Sequence, residues 1–228
     1  MSGSASFTAG AVDGAQDLLI PLTEAVTTGY SYKIDLNTSF TGDDNLYVGI
    51  ETGSHSATLP FALDESVVGN DTLTVSSMYY TFPLGNFNAA VGPLLDADDL
   101  MPTSTSKYSD SFFFGSQYGL DTNYFAKQGT GSGFAVARSF GNGWNASGSV
   151  IGTGGSTASG ILTKEGIDIL TLSLGYDADN YGGGIIWQDS ESICALAGNY
   201  AANICNDLGV TALLDEGYTT TTIGAYYI

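Results

Sequence analysis

The residues with the clearest capacity for chemistry are three neighbouring carboxylates, Asp96, Asp98 and Asp99, in the acidic and apolar segment Val91–Pro102. Carboxylates placed so closely raise the local cation concentration, as rings of Asp and Glu do in cation-favouring channels. The segment therefore predicts a loop that folds inward at a pore constriction. A solvated outer loop with ordinary charges stays open as the alternative. Calcium binding has no support, because the spacing matches no specific calcium loop.

Catalytic and metal-ligating patterns are missing from the sequence. The only histidine, His55, stands between two serines, and no G-x-S-x-G serine occurs, so a hydrolase triad has no support. No lysine is followed by Ser or Thr, which excludes a P-loop. A zinc site lacks ligands. We therefore predict that the protein is not an enzyme and holds no metal or cofactor.

The charge balance excludes one class of partner. Five basic residues against 24 acidic ones give a formal net charge of -19. Phosphate backbones need clustered Lys and Arg, whereas the basic residues here are scattered singly, so nucleic acid is excluded. The acidity itself fits two explanations, cation enrichment at a pore mouth and solubility in a salty environment. Both explanations remain open.

The clearest secondary-structure signal that could position such charges is in the segment Tyr30–Phe40, where large apolar residues alternate with hydrophilic ones. Period-two alternation over about ten residues predicts a β-strand with one apolar and one wet face, and ten residues is about the length that a tilted strand needs to cross a bilayer. Lys33 and Asp35 belong to the wet face. We expect both to line a lumen together with the three carboxylates.

The same alternation recurs along the whole chain and predicts about eleven strands. Short turns near residues 41, 83, 141 and 178 separate longer connections, as in membrane barrels with short periplasmic turns and long outer loops. The predicted strands are Ser4–Ala11, Tyr30–Phe40, Leu46–Glu51, Thr72–Phe82, Phe87–Val91, Ser111–Tyr118, Phe134–Phe140, Trp144–Ile151, Ile169–Asp177, Tyr181–Gln188 and Thr219–Ile228.

This pattern predicts an all-β fold, an antiparallel transmembrane β-barrel formed by one domain over residues 1–228. Charged residues make up only 13% and Gly numbers 31, so Ser, Thr, Asn and Gly carry the polarity, as suits lumen-facing positions. Single-chain bacterial barrels close with even strand numbers, so we expect a larger barrel, truncated at both ends. A soluble sandwich with Greek-key links is the alternative architecture.

Two cysteines, Cys194 and Cys205, lie in the longest late connection. A disulfide between them would stabilise the fold by about 3 kcal/mol in the chain-entropy model. It would also require an oxidising compartment such as the periplasm or the cell surface. Two unrelated buried thiols are the alternative interpretation.

Several segments carry a family resemblance. The chain resembles the barrel domain of cyanobacterial outer-membrane porins that bear an S-layer-homology domain, the iron-uptake porins, which are classed with the carbohydrate-selective porins. The resemblance spans most of the chain. The segments that carry it are Tyr32–Leu46, Tyr80–Gly85, Val91–Asp99, Tyr108–Phe112 and Leu174–Gly184.

The resemblance implies passive diffusion of ions and small hydrophilic solutes across the cell outer membrane. It also implies contact with outer-membrane lipid, and contact with peptidoglycan only through a wall-binding domain that these 228 residues do not contain. A homotrimer is an open possibility, and so is the identity of the solute. Because the chain resembles an internal piece, we expect it to conduct poorly alone and its full-length parent to conduct well.

The sequence therefore predicts a porin that favours cations. The alternative from another class is a secreted or surface-attached acidic β-rich adhesive protein. Such a protein would keep the acidity and the disulfide but would fold without lipid.

Overall fold

The structure is a computed structural model that describes residues 1–11, 26–54, 71–103, 105, 129–158, 160–163, 166–191 and 217–228. These residues form ten β-strands and no helix. None of the described segments has the helical length and hydropathy that a membrane-spanning helix needs. The strands are β1 (Ser2–Ala11), β2 (Val26–Thr38), β3 (Asn45–Gly53), β4 (Thr74–Leu84), β5 (Phe87–Asp96), β6 (Thr130–Ser139), β7 (Trp144–Gly152), β8 (Asp168–Asp177), β9 (Tyr181–Ser190) and β10 (Tyr218–Tyr227).

All ten strands belong to one antiparallel sheet in which spatial order equals chain order, β1 to β10. The predicted all-β antiparallel fold is therefore confirmed. The described sheet is not closed into a barrel, since β1 pairs only with β2 and β10 only with β9. The predicted strand Ser111–Tyr118 lies outside the described residues.

The predicted strand bounds differ from the observed ones at several ends, and the largest difference is at the end of the fifth strand. The sequence pattern ended the fifth strand at Val91, whereas β5 continues to Asp96. The extension passes Pro93, which has no N–H to donate, and the register shifts on both sides of this stretch, against β4 and against β6. Such a bulge lets a strand continue past a proline. Asp96 is consequently the last residue of a strand and not a loop residue.

The two faces of the sheet differ sharply in chemistry. One face, here called the bare face, presents large apolar side chains to the surroundings, such as Phe134 at 49% exposed and Leu172 at 47% exposed. The opposite face carries mainly Gly, Ala, Ser, Thr and Asn, and the chain segment that follows β5 lies on it, so we call it the arm face. Monomeric soluble proteins rarely expose so continuous an apolar surface.

Aromatic side chains concentrate at the end of the sheet where the short turns lie. Tyr80 stacks on Phe82 with ring centroids 5.7 Å apart, and Trp144 meets Tyr176 at 5.2 Å. The guanidinium of Arg138 lies over the rings of both neighbouring phenylalanines of this rim, 5.4 Å from Phe87 and 5.0 Å from Phe140. An aromatic rim at strand ends is the arrangement found at membrane interfaces.

The turn between β2 and β3 is held by one carboxylate. Asp44 accepts hydrogen bonds from the Tyr80 hydroxyl at 2.5 Å, from the backbone N–H of Thr41 at 2.7 Å and from the Ser39 hydroxyl at 2.8 Å. These bonds, that of Tyr80 first, hold the pKa of the Asp44 carboxyl well below its usual range. The turn thus stays fixed to β4 throughout the neutral range.

Candidate functional site

The segment after β5 folds back across the arm face. We call residues 97–103 and 105 the arm. Its backbone meets the sheet at Ala97, whose carbonyl accepts a hydrogen bond from the Ser149 hydroxyl on β7 at 2.8 Å. Farther along, the Thr103 hydroxyl lies 2.8 Å from the Asn145 side-chain oxygen on β7 and 2.9 Å from the Ser173 hydroxyl on β8. The arm therefore crosses successive strands of the sheet.

Three glycines on adjacent strands form the groove that receives the arm. Gly175, Gly184 and Gly224 are register partners across β8, β9 and β10. A Cβ atom added to Gly175 would lie 2.9 Å from the Thr103 side chain, and one on Gly184 or Gly224 would approach Thr103 or Thr105 closer still. Real Cβ atoms do not come that near their neighbours, so only glycine leaves room for the arm at this row.

Beneath the start of the arm lies a small apolar cluster. It consists of Ala90, Leu95, Ala97, Ala135, Ile151 and Ile169, with Tyr79 and Leu100 packed against it. Leu95, Ile151 and Ile169 are each 0% exposed. Burial of such side chains is worth about 1.5–3 kcal/mol apiece. The position of the carboxylates on the arm is therefore fixed by packing.

The three predicted carboxylates come together on this platform. The Asp99 side chain accepts a hydrogen bond from the backbone N–H of Asp96 at 2.7 Å and a further one from the Tyr79 hydroxyl on β4. Asp96 accepts one from the Thr130 hydroxyl on β6. Asp98 lies between them in the same turn and is half-buried. Asp98 and Asp99 belong to the arm, and Asp96 ends β5 immediately before it.

The other two predicted lumen residues, Lys33 and Asp35, lie on the arm face of β2. Asp35 accepts a hydrogen bond from the Tyr47 hydroxyl at 2.7 Å, and the Tyr47 ring contacts the Tyr79 ring at 5.2 Å between centroids. Lys33 also has a weak electrostatic attraction to the Asp96 carboxylate. A chain of polar contacts thus runs from β2 through the tyrosine pair to the arm.

The environment of Asp99 changes its protonation. Burial is the largest influence, and the charges of Asp96 and Asp98 add to it, so the pKa of the Asp99 carboxyl is raised to about 6. The hydrogen bonds from the Asp96 backbone and the Tyr79 hydroxyl oppose the rise but do not cancel it. Tyr47 on β3 also interacts electrostatically with the Asp99 charge. Asp99 therefore gains its negative charge near pH 6.

This pKa predicts a pH-dependent stability. A carboxyl whose folded pKa is raised favours folding when protonated, and that contribution is lost as pH rises from about 4 through about 6. Asp99→Asn is the reference, because its amide stays neutral at every pH. Relative to this variant, the free energy of unfolding of the native protein should fall by about 1–2 kcal/mol between pH 4 and pH 7, a magnitude that allows for solvent screening. Urea unfolding at the two pH values measures it. If the difference in unfolding free energy between the native protein and Asp99→Asn is the same at both pH values, the raised pKa of Asp99 is wrong.

Sequence reasoning missed two parts of this site. Tyr79 was not identified from the sequence, although it lies on the opposite face from Tyr80 and Phe82, against Tyr47 and Asp99. The period-two rule applied to Thr74–Leu84 would have separated them. The glycine row was not detected, because its members are distant in sequence and become neighbours only through strand register.

Cys194 and Cys205 lie outside the described residues, as does His55. Within the described part of the chain, no group of three or more His, Cys, Asp or Glu side chains has the arrangement of a metal site.

Comparison with known proteins does not assign the chain to a family. No family model matches the chain, and no curated protein matches it. The resemblance to outer-membrane porins therefore depends on the sequence segments quoted above.

Proposed function

We propose that the chain forms part of the wall of an outer-membrane porin through which ions and small hydrophilic solutes diffuse passively. One observation carries the proposal: a single antiparallel meander has a continuous apolar bare face and a small, polar arm face. Apolar-out and polar-in alternation with short turns at one end is the signature of membrane barrels. On this proposal the bare face contacts lipid and the arm face lines water.

The aromatic rim supports the same orientation. Phe82, Phe140, Trp144 and Tyr181 lie at the strand ends nearest the short turns. Aromatic rings favour the level of lipid head groups, and short turns belong to the periplasmic side in bacterial barrels. The arm and the long connections would then start from the outer side. Open edges are costly in lipid, so the proposal requires β1 and β10 to pair with further strands or with each other.

We further propose that the pore favours cations. The Asp99 carboxylate is held against Tyr79 on the arm face, and Asp96 and Asp98 lie within three residues of it, while Asp35 on β2 and Glu51 on β3 add negative charge to the same face. Carboxylates in a water-filled constriction raise the local cation concentration and repel anions. The overall charge of -19 acts in the same direction.

The first test is folding. The denatured chain is diluted either into detergent micelles or into plain buffer containing calcium, and circular dichroism and heat-modifiable gel mobility are recorded. We expect strand signal and a mobility shift only with micelles, because the bare face has no cover in water. Compact folding in buffer alone would instead favour the secreted or surface-attached adhesive protein.

The second test addresses ion preference. Asp96→Asn, Asp98→Asn and Asp99→Asn are combined, and the zero-current potential is measured in planar bilayers across a salt gradient at pH 7.5. We expect the zero-current potential to move towards the value of an unselective pore, because the triple variant removes three negative charges from the conduction path. Asp179→Asn, in the short turn between β8 and β9, is the control and should leave the potential unchanged. An unchanged potential in the triple variant would mean that the arm lies outside the path.

A further inference from the structure

The arm face is divided into two halves that differ in access. On the half formed by β6 to β9, side chains are buried: Ile169 and Ile186 are 0% exposed, and Gln188 is 1% exposed. On the half formed by β1 to β4, Ser4 and Lys33 are exposed and Ser77 is half-buried, while Ser31 is 9% exposed. The same face of one sheet is thus packed at one side and more open at the other.

This difference is not a simple edge effect. Both β1 and β10 are edges of the described sheet, yet on the arm face of β1 Ser2 and Ser4 are exposed and only Ser6 is half-buried, whereas Thr220 and Thr222 of β10 are both half-buried. The arm accounts for much of the asymmetry, because it rests on β7 to β10 through Thr103, Thr105 and the glycine row. A packed interior offers no room for a hydrated ion.

The charged residues of the arm face are divided between the same two halves. Asp35 and Glu51 lie on the arm face of the open half, and the carboxylates of the arm face them from its border. On the arm face of β6 to β9, the described charged residue is Asp177, which lies at the short-turn end and accepts a hydrogen bond from the Tyr226 hydroxyl. Access and negative potential therefore coincide on the same half of the face.

We propose that the cation path follows the open half of the arm face, along β1 to β4 and past the border of the arm, and that β6 to β9 with the arm form a packed wall. This inference rests on the proposed porin function and specifies where its solutes travel. Hydrated cations are the solute class, because the half that has room is also the half that carries carboxylates. Lys33 is the positive charge on this path among the described residues.

Thiol accessibility tests the proposal without requiring conductance. Cysteine replaces single serines in a background carrying Cys194→Ser and Cys205→Ser. Ser4→Cys and Ser77→Cys report on the open half. Ser149→Cys and Ser173→Cys are the matched controls on the packed half, where the native serines are 3% and 7% exposed. Each variant is folded in micelles, checked for strand signal, and treated with a cationic or an anionic methanethiosulfonate reagent.

We expect the open-half thiols to react at least about tenfold faster than the packed-half thiols, because reagent must reach the sulfur through water. At Ser77→Cys, the cationic reagent should be favoured by about tenfold at low salt after each rate is divided by that of a free thiol, and the preference should fade at 1 M salt. Equal rates on both halves, or an anionic preference at Ser77→Cys, would overturn the inference while leaving the porin proposal standing. Failure of the unsubstituted chain to fold in micelles would overturn both.

Discussion

Replacing Leu172 by Lys should lower the free energy of unfolding by about 2–4 kcal/mol in phospholipid vesicles, the cost of a lysine at the bilayer midplane. Leu172 lies in the middle of β8 on the bare face and is 47% exposed. On a soluble protein, a lysine at so exposed a position would change stability by only about 0.5 kcal/mol. Urea unfolding in vesicles, followed by tryptophan fluorescence, measures the difference.

The matched control places the same charge on the opposite face. Ser77 lies near the middle of β4 on the open half of the arm face. Ser77→Lys should cost less than about 1 kcal/mol, because lumen-facing charges stay hydrated. Equal and small effects at both positions would indicate that water covers both faces, and the membrane assignment would then be wrong.

The second large effect concerns the groove. A valine in place of Gly224 should expel the arm from the sheet, because all three nearest atoms to an added Cβ belong to Thr105. Overpacking of this kind costs about 1–3 kcal/mol, and the individual hydrogen bonds that hold the arm contribute only about 0.5–1.5 kcal/mol each. Release should expose Ser173, so Ser173→Cys should react at least about tenfold faster in the Gly224→Val background.

Gly3→Val is the matched control for this substitution. Gly3 also lies on an edge strand, and an added Cβ would meet only the Lys33 carbonyl oxygen at 3.5 Å and the Tyr32 hydroxyl at 3.7 Å, which are ordinary contacts. Strand signal and Ser173→Cys reactivity should therefore stay at the unsubstituted level. If Gly224→Val leaves Ser173→Cys as slow as before, the arm is not held by the glycine row.

The sequence by itself determined the strands and their two faces. Alternation in Tyr30–Phe40 and Ile169–Asp177 assigned each residue to a face, since successive side chains of a strand point to opposite sides. Turn residues such as Gly141 and Gly143, both with positive φ, marked where neighbouring strands reverse. These signals are local, so they could be read without knowing which distant segments meet. They placed Lys33 and Asp35 together on the polar face of β2, as the structure has them.

Only the tertiary structure decided how distant segments meet on the arm face. The register of β8, β9 and β10 aligns Gly175, Gly184 and Gly224 into one groove, although the first and last are far apart in the chain. The register of β3 and β4 brings Tyr47 to Tyr79, and the folding back of the arm brings Asp99 to both. Strand pairing and packing against the cluster around Leu95 set these contacts. These contacts depend on the register of every strand pair between the segments that meet, and no short segment of sequence indicates that register.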